Sequence, residues 1–230
     1  MRYLLAVLFS VLSLKANAGL FGFGDMTWRE EVLLHDGSKI IIERSVKRGG
    51  RHELFKGLPI SEQRLSWRMP GTNQEITWED HFSKDVGSAT LLPMLMDVHQ
   101  SAAYVVANPM GCLAYNKWGR PNPPYVIFKN QGKEWQRIPL QELPAEIKSP
   151  NLIQSEPDVE AERIGKNPIP AEVIRKVVSS YFRTEFKNIV RDALPLAYIN
   201  QMCEELVNYK GSWIMPNDPA ARRMVDQQPK

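Results

Sequence analysis

Residues 64–79, RLSWRMPGTNQEITWE, decide the fold class. Leu65, Trp67 and Met69 alternate with Ser66 and Arg68, and Ile76 and Trp78 alternate with Glu75, Thr77 and Glu79. Between the arms, PGTNQ supplies residues that turn a chain. Successive side chains of an extended strand point to opposite faces, so each arm sets one face on a core and the other in water. The two tryptophans on the apolar face suit cross-strand packing; a ligand platform is the competing use.

The pattern spreads outward from this hairpin. Residues 29–35 and 38–45 flank Asp36-Gly37, a pair suited to a type I′ turn. Ile40, Ile41 and Ile42 are β-branched and stiff, which favours a strand. Downstream, 94–98 and 103–107 turn at His99-Gln100-Ser101, and 125–129 and 134–140 turn at Asn130-Gln131-Gly132. Residues 44–51, RSVKRGGR, read as a solvated basic loop. Short strands joined by turns over 28–148 predict an antiparallel β region: a sandwich, a barrel or propeller-like hairpins.

Beyond it the periodicity changes. Residues 149–169 are a proline-rich connector. From Pro170, Val173, Ile174, Val177, Val178, Tyr181 and Phe182 fall on one helical stripe, which Phe186, Ile189, Val190, Ala193 and Leu194 continue until Pro195. Ile199, Met202, Cys203 and Leu206 form the face of a last helix. A helical region over 170–210, packed on the β region, and a loose tail over 211–230 complete an α+β expectation.

The N-terminus reads as an export signal over residues 1–18. Arg2 precedes the apolar residues 4–14, and Ala16-Asn17-Ala18 supplies the small residues a signal peptidase needs for cleavage between Ala18 and Gly19. The apolar run is about half the ~20 residues that span a bilayer. Residues 19–27 follow as a flexible leader. Loss of Arg2 and Lys15 takes the net charge from +3 to +1, which leaves no whole-molecule attraction for nucleic acid or anionic lipid. A periplasmic or secreted protein, with no stable membrane insertion after cleavage, is the expectation. In an oxidising compartment an even pair of cysteines reads as a disulfide, Cys112 to Cys203.

Chemistry could gather at residues 111–125, GCLAYNKWGRPNPPY. Trp118, Arg120, Asn122 and Tyr125 bring aromatic rings, a planar cation and an amide into a proline-stiffened loop, the kind of segment binding sites are built from. The competing reading is a crossover loop packed over the end of the sheet. His35, His52, His81 and His99 show no metal-ligand spacing, and no phosphate loop or nucleophile elbow is present. No cofactor, metal or catalytic residue is therefore expected, and an enzyme is the least favoured class. GCLAYNKWGRPNPPYVIFKNQGKEWQRIPLQELP, with REEVLLHDGSKIIIERSVKRGGRHE and MPGTNQEITWED upstream, resembles a family of uncharacterised exported proteins of Gram-negative bacteria. The resemblance covers roughly residues 1–155. It implies an exported location and carries no activity or catalytic residue. A periplasmic binding or protein-interaction module, with an envelope protein or a small ligand as partner, is the leading expectation. A structural or accessory envelope protein is the alternative.

Overall fold

A computed structural model of the chain describes residues 25–50, 57–72, 74–132 and 134–227. The export signal, its cleavage site and most of the leader lie outside them. The first sheet is a meander of β1 (Met26–Leu33), β2 (Lys39–Arg48), β3 (Ile60–Arg68) and β4 (Glu75–Asp80). The second repeats that order with β5 (Leu91–His99), β6 (Ala102–Pro109), β7 (Val126–Asn130) and β8 (Trp135–Ile138). All neighbouring pairs are antiparallel, and Leu65 sits opposite Trp78 and Trp67 opposite Ile76. The apolar alternation thus falls on one face.

The two sheets pack face to face. One core joins Ile42, Leu65, Trp67 and Trp78 to Met96, Val105 and Val126 of the second sheet. Trp67 stacks near Trp135 at 6.0 Å between ring centres, and Trp78 near Phe128 at 5.9 Å. The outer face of the first sheet carries Glu43, Arg64 and Glu79 in water. The second sheet is covered on both sides at its centre, where all eight residues of β6 are buried, while Gln136 and Arg137 of β8 reach water. Its far side, with Tyr104, Val106 and Ile127, lies under Leu143, Ile147 and Ile189. A strand covered on both faces loses period two and becomes a continuous apolar run, as AAYVVA does.

Arg44 is not in a solvated loop. β2 continues to Arg48, and Arg44, 1 % exposed, lies in the interior. Its guanidinium donates to Glu30 Oε1 at 2.8 Å and to the Ile153 carbonyl at 2.7 Å, and sits 5.2 Å from the Trp28 ring. Trp28 Nε1 donates to the same Glu30 oxygen. The charge is tolerated there because a carboxylate, a carbonyl and an aromatic face replace its water. Arg48 likewise holds Asp158 through two hydrogen bonds.

The C-terminal third departs further from expectation. Residues 111–125 begin with α1 (Gly111–Lys117), and the connector contains α2 (Pro157–Ile164). The helical stripe is real in α3 (Ala171–Ser180), whose Ile174 and Val178 are buried. It then stops, because Tyr181 is extended at ψ 144°, and Phe182 stands 98 % exposed instead of on the core face. Only α4 (Thr184–Lys187) and α5 (Leu196–Met202) follow, and Cys203 is already extended. Val207 to Tyr209 and Ser212 to Ile214 are not helix and loose tail but an antiparallel hairpin, β9 (Val207–Tyr209) and β10 (Ser212–Ile214). It turns on Lys210 and Gly211 at φ 50° and 88°, the positive pair a type I′ turn requires. The tail adds α6 (Pro219–Asp226), capped by the Asp218 carboxylate on two backbone N–H groups. Among the described residues, no helix is long and apolar enough to cross a membrane.

Candidate functional site

The four residues singled out in the Trp/Arg loop each engage the chain itself, at separate places, and of them Asn122 and Tyr125 share a cleft. Trp118 ends α1, donates its Nε1 to Thr90 Oγ1 at 3.0 Å and meets Phe128 edge-on. Arg120, at φ 51°, donates to the carbonyls of Cys203 and Glu204 and to Asn200 Oδ1, all within 3.0 Å. Asn122 makes a two-way bridge to Leu194, donating to its carbonyl at 2.9 Å and accepting from its N–H at 2.7 Å. The Tyr125 hydroxyl lies 2.9 Å from the Glu185 carbonyl and 3.1 Å from that of Asn188, and accepts from the Val190 N–H. Burial raises its pKa, so it stays a neutral phenol.

The cysteines complete this arrangement. Cys112 and Cys203 stand at disulfide distance, 2.05 Å between sulfurs and 5.2 Å between Cα atoms. Residues 111–125 are therefore a clasp between the second sheet and the C-terminal third. A neighbouring cleft of about 470 Å³ includes Asn122, Tyr125, Gln141, Arg137 and Arg191, and both of its arginines are committed too. Arg137 donates to the Trp118 carbonyl, and Arg191 to those of Leu143 and Pro144.

Uncommitted chemistry lies elsewhere, where the β1–β2 turn meets the end of β5. There Asp97, with its side chain 4 % exposed, accepts from the His35 backbone N–H at 3.0 Å and from that of Val98 at 2.8 Å. Its other contact is His35 Nδ1 at 2.7 Å, which fixes the ring and leaves Nε2 without a hydrogen-bond partner among the described residues. Burial raises the Asp97 pKa, and the hydrogen bonds from His35 and Val98 offset that only in part. The His99 ring lies 5.2 Å from that of His35, and its Nε2 is 4.0 Å from Glu146.

His35 and Asp97 line a cleft of about 350 Å³ between the hairpin, the strap over 146–151 and α3. Asn151 fastens the strap to both sheets, donating to the carbonyls of Leu33 and Met96 and accepting from the Met96 N–H. Leu33, Leu34, Pro150 and Ile174 give the cleft apolar walls. Lys148 and Arg175 line it as well, and neither side chain has a hydrogen-bond or ion-pair partner among the described residues. Ser149 is also in the lining, but no hydroxyl or thiol among the described residues hydrogen-bonds His35. The geometry provides an oriented imidazole without an attached nucleophile, an arrangement suited to binding and proton exchange. Among the described residues, no group of three or more His, Cys, Asp or Glu side chains could hold a metal ion.

Spacing between histidines does not reveal this site, because its parts come from four separate segments. Two signals for it are present. Asp97 interrupts the apolar run MLMDV, and Asp97 and His99 are two apart on one strand and so share a face. Compared with family profiles, curated proteins and solved structures, the chain matches none of them.

Proposed function

We propose that the chain is an exported periplasmic binding module whose ligand site is the cleft between the β1–β2 turn, the 146–151 strap and α3. The observation that carries this reading is the contrast in commitment. The polar groups of Trp118, Arg120, Asn122 and Tyr125 are satisfied within the chain, whereas His35 Nε2, Lys148 and Arg175 meet at an apolar-walled cleft with partners still to find. Small-ligand sites have this composition: apolar walls and a few convergent polar groups. The signal-like N-terminus, the cysteine pair and the resemblance to exported Gram-negative proteins support the compartment.

Native mass spectrometry of the mature chain after incubation with a small-molecule extract of Gram-negative periplasm tests the reading. A retained species is expected. Leu33→Trp, which adds bulk at a half-exposed cleft position, should abolish retention, and Asn122→Ala should not. Retention unaffected by Leu33→Trp, or no retention at all, would sink the proposal.

A second reading, a protein-interaction surface in the envelope, rests on Phe182. Its fully exposed ring borders a groove of about 350 Å³ with Leu92, Gln154 and Phe186. Loss of an envelope partner on Phe182→Ser, with the cleft untouched, would favour it.

A further inference from the structure

We infer that the cleft takes an amphipathic anion: a small molecule with a carboxylate or phosphate at one end and an apolar body. This rests on the reading of the cleft as a ligand site and adds the chemical class of the ligand. The charges around the cleft divide unevenly. Both of its carboxylates already have a cation-capable neighbour, Asp97 through His35 at 2.7 Å and Glu146 through His99 at 4.0 Å. Both of its permanent cations, Lys148 and Arg175, have none among the described residues.

Both side chains are exposed and meet water, which a neutral or cationic ligand would displace without supplying a counter-charge. An anion would satisfy them, and Arg175 can present a planar pair of N–H donors to a carboxylate or phosphate. His35 stands beside them: Asp97 holds its Nδ1 at 2.7 Å and so fixes the ring, and Nε2 is the nitrogen left for a ligand. The other half of the ligand follows from the walls. Leu33, Leu34, Pro150, Ala171 and Ile174 offer no donor or acceptor side chain, so a fully hydrated ion would gain nothing from them. An apolar body beside the charged head matches both halves of the cleft.

Octanoate, octanol and octylamine share one tail and differ in the charge of the head. Titrated into the labelled mature protein and followed through imidazole and backbone resonances, octanoate should move His35, Lys148 and Arg175. It should bind roughly tenfold or more tightly than either control. The double variant Lys148→Ala/Arg175→Ala should erase that preference while leaving the tail contacts, and because both positions are exposed it should keep the fold. Inorganic phosphate at the same concentration should shift the cations without moving Leu33 or Ile174. Equal binding of octanol and octanoate at the cleft would overturn the anion assignment while leaving the cleft a ligand site. Tighter binding of octylamine, no binding by any of the three, or a preference that survives in the double variant would likewise overturn it.

Discussion

The β-sandwich and the C-terminal third are held by different forces. The two sheets share a dense apolar core with Leu65, Trp67, Trp78 and Met96 buried, and polar contacts trim its edges. Residues 181–227 place only Ile189, Ile199 and Ile214 among the buried hydrophobic residues. What fastens that segment is the clasp: Arg120 on two carbonyls, Asn122 on Leu194, Tyr125 on three backbone groups, and the cysteine pair. Apolar burial is non-directional and tolerates small shifts. Hydrogen bonds to fixed backbone groups and a covalent bridge do not. The stiff, polar, proline-rich segment that resembles a binding loop is therefore an internal fastening.

The contrast can be broken from the sandwich side first. Arg44→Met should leave the buried Glu30 carboxyl without its cation, and should lower stability by about 3–5 kcal/mol in denaturant unfolding. Both regions should lose protection together, because the pair sits under β1, β2 and the carbonyl of Ile153. Adding Glu30→Gln should recover part of the loss, since the orphaned carboxyl goes with it.

Removing the bridge attacks the other region. The cysteines are 91 residues apart, and closing a loop of that size is worth up to about 4–5 kcal/mol in unfolded-chain entropy. The double variant Cys112→Ser/Cys203→Ser should lose about 2–4 kcal/mol. Hydrogen exchange should rise first over residues 196–214, while β5 and β6 stay protected. Uniform loss across the chain would show that the two regions are one cooperative unit.

Tyr125→Phe is a finer probe of the clasp. It removes one hydroxyl and leaves the Val190 N–H without its acceptor, at a cost of about 2 kcal/mol. Because the ring and its burial are kept, the loss should appear as local opening at 185–190 and not in the sheet.

The smallest effect expected is at the tie between β2 and α2. Burial opposes ionisation of Asp158, but the hydrogen bonds and charge of Arg48 outweigh it and hold its pKa below the ordinary carboxylate value. A depressed folded pKa contributes stability that is present above the unfolded value and disappears as pH falls through the folded one. Asp158→Asn should thus cost about 1 kcal/mol at neutral pH, and the difference from the parent should shrink below about pH 4. The raised groups Asp80 and Asp97 act in the opposite sense but are common to both proteins, so they cancel in that difference.

The same contrast explains which parts were legible in the sequence. Hairpins announce themselves locally: Asp36-Gly37 turns on Gly37 at φ 85°, and LSW and ITW alternate because one face of their sheet is wet. In the C-terminal third the local signal misleads. The stripe through Phe182 and Phe186 continues on paper, but the helix ends at Ser180, and the stretch beyond it is shaped by tertiary contacts from residues 120–125. By sequence a last helix ends at residue 210 and a loose tail follows it, whereas the chain turns a hairpin on Lys210 and Gly211. Trp118, Arg120, Asn122 and Tyr125 hydrogen-bond to other parts of the chain, and composition cannot say whether such a residue's partner lies inside the chain or outside. The cleft was the least legible feature. Leu33, Asp97, Lys148 and Arg175 lie far apart in the chain, and only the stacking of hairpin ends, strap and helix brings them to one place.

The division of labour between clasp and cleft is the central claim, and peptide-level hydrogen–deuterium exchange tests it directly. The chain without residues 1–18 would be compared with and without the small-molecule extract of Gram-negative periplasm. The account predicts new protection confined to peptides covering 33–37, 146–151 and 171–175, with no change over 118–125. Protection over 118–125, with the cleft peptides unchanged, would contradict it.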